Sequence, residues 1–108
     1  MKATRFYPFV NSLGRETKVR FALDEYADGT LALYKQFGNG RRSTISWYVA
    51  KGLANNETYI DQRCHPKSVD VLLNNDVAVK TGRAYYDDEG TAYPLLRFNL
   101  SKFKERNS

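Results

Sequence analysis

One cysteine and one histidine stand side by side at Cys64-His65. Nucleophilic catalysis needs a thiol or hydroxyl within reach of a base, and neighbours in an extended chain point to opposite sides. Cys64 therefore reads as a small, buried apolar residue. One Cys and one His fall short of a structural zinc set, and no ligand spacing accompanies them. The sequence implies no metal and no cofactor. The carboxylate pairs Asp24/Asp28 and Asp87/Asp88 have the chemistry for acid–base work or cation binding. Both stand in turn-forming stretches, where Asp commonly bonds its own backbone, and turn chemistry is the preferred reading. Gly38-Asn39-Gly40 is too short for a phosphate loop and no helical pattern follows it. The expectation is a protein with no catalytic residues, not an enzyme.

Binding chemistry is better represented. Arg41-Arg42 lie close to Trp47 and Tyr48, with Tyr34 on the opposing strand. Cations interleaved with aromatics on a sheet can hold phosphates and stack bases. Lys18 and Arg20 alternate on the outer face of an earlier strand and extend the patch. The candidate binding residues are Lys18, Arg20, Arg41, Arg42 and Tyr48. Trp47 shares strand parity with Ile45 and Val49 and is expected in the core, leaving Thr44, Ser46 and Tyr48 to solvent. The balance of 17 Lys+Arg against 12 Asp+Glu, formally +5, permits a nucleic-acid or acidic partner.

The elements that must position these residues follow from length and patterning. A chain of 108 residues fits one domain, 1–108. Its 42% hydrophobic and 14% aromatic content supports a folded core. A single cysteine rules out an internal disulfide and fits a reducing compartment. No apolar run approaches the roughly 18–20 residues of a membrane span, and the first residues carry no apolar leader. The expected location is cytoplasmic, with no membrane contact.

Pro66 to Asn75 holds the one helical pattern. Val69, Leu72 and Leu73 fall at i, i+3 and i+4, Pro66 suits the first turn, and Asn74-Asn75 suit a left-handed C-cap. Glu16 to Tyr26 alternates as a strand, Asp28-Gly29 marks a hairpin turn, and Thr30 to Phe37 returns. Arg41 to Ala50 reads as a third strand of the same meander, followed by a loop over 51–56. Glu57 to Asp61 is a further short strand. Lys80 to Arg83 reads as a turn, and Ala84–Tyr86 with Thr91–Leu100 form a second hairpin around Asp87-Asp88-Glu89-Gly90. Pro94 there calls for an edge or a bulge. Residues 1–14 form an arm or edge strand, and the basic tail 101–108 is expected to fray. The predicted fold is α+β, a twisted antiparallel sheet of about five strands packed on one short helix. Its core is Val19, Phe21, Leu23, Leu31, Leu33, Ile45, Trp47, Val49, Val69, Leu72, Leu73 and Phe98.

Four segments in order, Tyr26–Leu33, Asn55–Asp61, Asn75–Arg83 and Tyr93–Asn99, resemble an uncharacterised family of small bacterial proteins carried on plasmids, conjugative elements and phages. The resemblance spans about Thr17 to Leu100. The family pattern is more acidic across Gly38 to Ser46, where this chain has Arg41-Arg42. The resemblance carries no catalytic residue with it. It implies accessory cargo of mobile DNA, and with it an anti-CRISPR-type inhibitor of a host defence effector, a CRISPR-Cas or restriction complex, gripped through guide RNA or an acidic protein surface. The alternative is a small basic RNA- or DNA-binding regulator. An unpaired sheet edge would also allow a homodimer.

Overall fold

The computed structural model describes residues 1–49 and 53–106. Ala50, Lys51, Gly52, Asn107 and Ser108, expected in a strand end, a loop and the tail, lie outside the described residues. Among those described, ten strands form two antiparallel sheets with one α-helix, in place of one sheet of about five strands. The α+β character holds.

The first hairpin joins β3 (Glu16–Glu25) to β4 (Leu31–Phe37). Its Asp-Gly turn forms as the sequence indicates. Gly29 takes φ 85°, which glycine adopts without a Cβ penalty. The Asp28 carboxylate accepts the Thr30 N–H at 2.9 Å. The arm pairs along the other side of β3, as β1 (Lys2–Ala3) and then β2 (Tyr7–Val10). β5 (Arg42–Thr44) pairs with β4. Residues 101–106 of the tail do not fray. β10 (Lys104–Glu105) pairs with β1, the Arg106 side chain donates to the Ala3 carbonyl at 2.9 Å, and Phe103 is only 4% exposed. One apolar residue in a basic run is enough to dock it.

The expected third strand breaks in two. After β5 the chain passes Ile45 and enters a second sheet as β6 (Ser46–Trp47), beside β7 (Glu57–Ile60), β9 (Ala92–Phe98) and β8 (Ala78–Tyr86). The Ile45 N–H bonds the Leu33 carbonyl in the first sheet at 2.9 Å, and its carbonyl accepts from Asp61 at the end of β7 at 2.9 Å. Ile45 and Ser46 are both buried, so the strict alternation fails here. Trp47 is thereby thrown outward, 38% exposed and stacked on Tyr93 at 4.3 Å, where parity had placed it in the core. Leu23, Val49 and Leu73, also expected in the core, are only partly buried at its margins.

The helix α1 (Pro66–Asn74) carries its predicted proline in the first turn. It ends in paired bonds from Val77 to Leu72 and from Asp76 to Leu73, the Schellman arrangement. The left-handed residue is Asp76, at φ 57°, not an asparagine. Asn75 instead donates its side-chain amide to the Val71 carbonyl at 2.9 Å. Val69, Leu72 and Val77 join Val19, Phe21, Leu33, Ile60, Leu96 and Phe98 in one core that draws on both sheets. The expected Lys80–Arg83 turn is a bulge inside β8, with Gly82 at φ 82°. Pro94 pairs opposite Ala84 at that irregularity, on a central strand, not an edge. Among the described residues, no helix is long and apolar enough to cross a membrane.

Two substitutions test this architecture. Ser46→Ala removes the acceptor of the buried Leu33 N–H and is expected to lower stability in urea unfolding by about 1–3 kcal/mol, while Ser43→Ala stays within about 0.5 kcal/mol. Phe103→Ala is expected to cost about 3–5 kcal/mol. A change below ~0.5 kcal/mol would return the tail to a frayed state.

Candidate nucleic-acid interface

Strand alternation decides which cations meet. On β3 the inward residues are Val19 and Phe21, so Lys18 and Arg20 lie on the outer face of the six-stranded sheet. The register sets Arg20 beside Gln36 of β4, and Gln36 beside Arg42 of β5. Tyr34 follows two residues along β4, opposite Thr44. Lys18, Arg20 and Arg42 therefore share one face, as their parity indicates.

Aromatic rings hold these cations in place. The Phe6 ring has the Lys18 ammonium 4.8 Å from its centroid and the Arg20 guanidinium also at 4.8 Å. The Arg42 guanidinium lies 4.6 Å from the Tyr34 centroid. Each is within cation–π range. The Lys18 stem also runs over Gly38, where a Cβ would come within 2.9 Å of its Cε. Phe6 was not foreseen, because it lies between two arm strands and outside any alternating run.

Three of the five expected residues sit differently from the reading of the sequence. Arg20 is 7% exposed, with its Nε donating to the Gln36 carbonyl oxygen at 2.7 Å. It backs the face and does not project from it. The covering arm causes this, since Phe6 lies against its guanidinium. Arg41 parts from Arg42 and lines a cleft with inward residues of β3 and β4, since successive residues point to opposite sides. Tyr48 lies beyond the crossing at Ile45. Its hydroxyl donates to Asp28 at 2.8 Å, and its ring meets Tyr26 edge-on at 4.7 Å. Exposed Lys18 and Arg42 remain, and they form no ion pair among the described residues.

The carboxylates perform turn chemistry. Asp28 accepts from Thr30 and Tyr48. Asp87 accepts the N–H groups of Thr91 at 2.9 Å and Glu89 at 3.0 Å, and the Tyr93 hydroxyl at 3.2 Å. Hydrogen bonds from Thr30 first, and then Tyr48, hold Asp28 below the usual aspartate range. Those from Thr91 and Glu89 do the same for Asp87, despite partial desolvation. The shared proton pushes the Tyr48 hydroxyl above its ordinary value. Among the described residues, no group of three His, Cys, Asp or Glu side chains is arranged to hold a metal ion.

Compared with protein-family models, curated proteins and solved structures, the chain has no match in any of the three.

The two turns set an acid limit. A carboxylate whose folded pKa is depressed adds stability above its unfolded value, and that stability is lost as pH falls through the folded value. Thermal unfolding midpoints of the native chain are expected to drop steeply below about pH 4. In the Asp28→Asn, Asp87→Asn double variant that decline is expected to be shallower. Parallel curves for the two proteins would refute the assignment.

Proposed function

We propose that this is a non-enzymatic binding protein whose outer β-face holds the phosphate backbone of a single nucleic-acid strand. The observation that supports it most is the pairing of exposed Lys18 and Arg42 with aromatic rings across the β3–β4–β5 face, backed by Arg20. Ring contacts fix the cations before a ligand arrives, which lowers the ordering cost of binding. Two strand spacings separate the Arg20 and Arg42 rows, about 10 Å, or roughly three nucleotides of a stacked strand at 3.4 Å rise. The rings are already covered by cations, so bases would stack on the guanidinium plane of Arg42.

The resemblance to mobile-element proteins supplies the setting for this reading. There the bound strand is the guide RNA or nucleic-acid channel of a cytoplasmic defence complex, and the outcome is inhibition. The thiol of Cys64, expected to be buried, is exposed and free, which suits that reducing compartment. A basic face is a poor mimic of DNA, so inhibition would proceed by gripping RNA and not by replacing it.

Fluorescence anisotropy with a labelled 20-nucleotide RNA tests the proposal. Affinity is expected to fall steeply with salt, by a slope of about 0.7 per phosphate contact. The Lys18→Glu, Arg42→Glu double variant is expected to lose at least about tenfold in affinity and to flatten that slope by about 1.4, while Tyr48→Phe leaves both unchanged. Binding that ignores salt, or that survives the double reversal, would overturn the reading.

A further inference from the structure

The inner side of the same sheet holds a second feature. A cleft of about 590 Å³ opens between the ends of β2, β3 and β4 and the first turn of α1, a size common for small-ligand sites. Phe9 and Phe37 form an aromatic wall, 5.9 Å apart and edge-on. Lys35, Arg41 and Lys67 line it, and among the described residues no Asp or Glu does. Lys35 is the most telling. Its ammonium is half-buried, 5.8 Å from the Phe9 ring centroid and 5.4 Å from that of Phe37. Among the described residues its one hydrogen bond goes to the buried Ser68 hydroxyl at 3.3 Å. An ammonium has three donors, so two remain for a ligand. Lys67 is held only by long contacts to the Val10 and Asn11 carbonyls, at 3.5 and 3.4 Å.

A half-buried cation with no carboxylate partner is costly unless something pairs with it. Burial indeed holds Lys35 below the usual lysine range, and lowers His65 as well, with Lys35 adding to that shift and Asp61 opposing it. His65 lines the same cleft, and its Nδ1 is buried without a hydrogen-bond partner. The first turn of α1 carries no acidic side chain and receives no side-chain cap, so its amides add to the positive potential. Three cations suit a dianion better than a single carboxylate, which would leave most of the charge unmatched.

We propose that this cleft binds a phosphate monoester carrying a flat ring, the chemistry of a mononucleotide. The phosphate lies among Lys35, Arg41 and Lys67, and the ring lies against Phe9 and Phe37. A free nucleotide and the 5′-phosphorylated end of a strand both present this chemistry. The site is on the opposite side of the sheet from Lys18 and Arg42 and does not depend on the outer face binding RNA.

Calorimetric titration of the full chain with AMP, adenosine and inorganic phosphate tests the site. AMP is expected to bind more tightly than either fragment. Lys35→Met keeps the length and apolar stem while removing a buried charge, so the fold is retained, and AMP affinity is expected to fall by about tenfold to a hundredfold. The Lys18→Glu, Arg42→Glu variant is expected to keep AMP affinity within about twofold, which separates this site from the outer face. In that same variant, RNA with a 5′-phosphate binding at least about tenfold more tightly than RNA with a 5′-hydroxyl would assign the strand end, and equal affinities would assign the free nucleotide. AMP binding no tighter than adenosine, or binding unchanged by Lys35→Met, would overturn the proposal.

Discussion

The backbone of Ile45 has to serve two sheets at once. A buried amide and carbonyl must each find a partner. Here the amide bonds Leu33 in one sheet and the carbonyl accepts from Asp61 in the other. The next residue completes the join, as the Ser46 hydroxyl accepts the Leu33 N–H at 3.1 Å and meets the Tyr26 hydroxyl at 2.7 Å. A side chain thus replaces the ladder bond that β5 would have supplied had it run on. Without that replacement, a buried donor in the middle of the core would be left unpaired. The shared core of both sheets and the helix depends on this crossing, because it turns the inner face of the second sheet toward the first.

The crossing also separates the candidate binding residues. It carries Trp47 and Tyr48 away from Arg42, to Tyr93 and to the Asp28 turn. The first sheet is left with cations at one end on both of its sides, Lys18, Arg20 and Arg42 outside and Lys35 and Arg41 inside. Three acidic side chains are engaged elsewhere, Asp28 and Asp87 by their turns and Asp61 by the Cys64 N–H. Lysines on a charged sheet edge also discourage pairing with another chain. β8 has that protection, with Lys80, Arg83 and a bulge along its open side.

Much of this was legible in the chain. Alternation located β3, β4, β7 and the second hairpin, and the turn residues Asp28, Gly29, Asp87 and Gly90 do what their types imply. Helical spacing located α1 and its buried Val69 and Leu72. The split of the third strand was not legible, because Thr44-Ile45-Ser46-Trp47 keeps period two in the sequence while the backbone changes sheet between them. Parity therefore misplaced Trp47 and joined Tyr48 to the wrong face. The burial of Arg20 was hidden for a different reason: the covering residue, Phe6, comes from an arm whose pairing is long-range. The cleft was illegible because Lys35 and Ser68 are 33 residues apart in the chain, and each looks ordinary in its own strand or helix.

The arrangement of rings and cations limits what the outer face can distinguish. Sequence-specific readers of single strands usually offer uncovered aromatics and side chains that reach base edges. Here the Phe6 and Tyr34 rings already carry cations, and the Oε1 of Gln36 accepts from Arg20. What faces outward is charge, and on the proposed reading it would follow a backbone and its geometry, not its bases. On the other side of the sheet, Phe9 and Phe37 form an aromatic wall beside Lys35, Arg41 and Lys67. Arg41 and Arg42, adjacent in sequence and opposite in direction, place one cation in that cleft and one on the outer face.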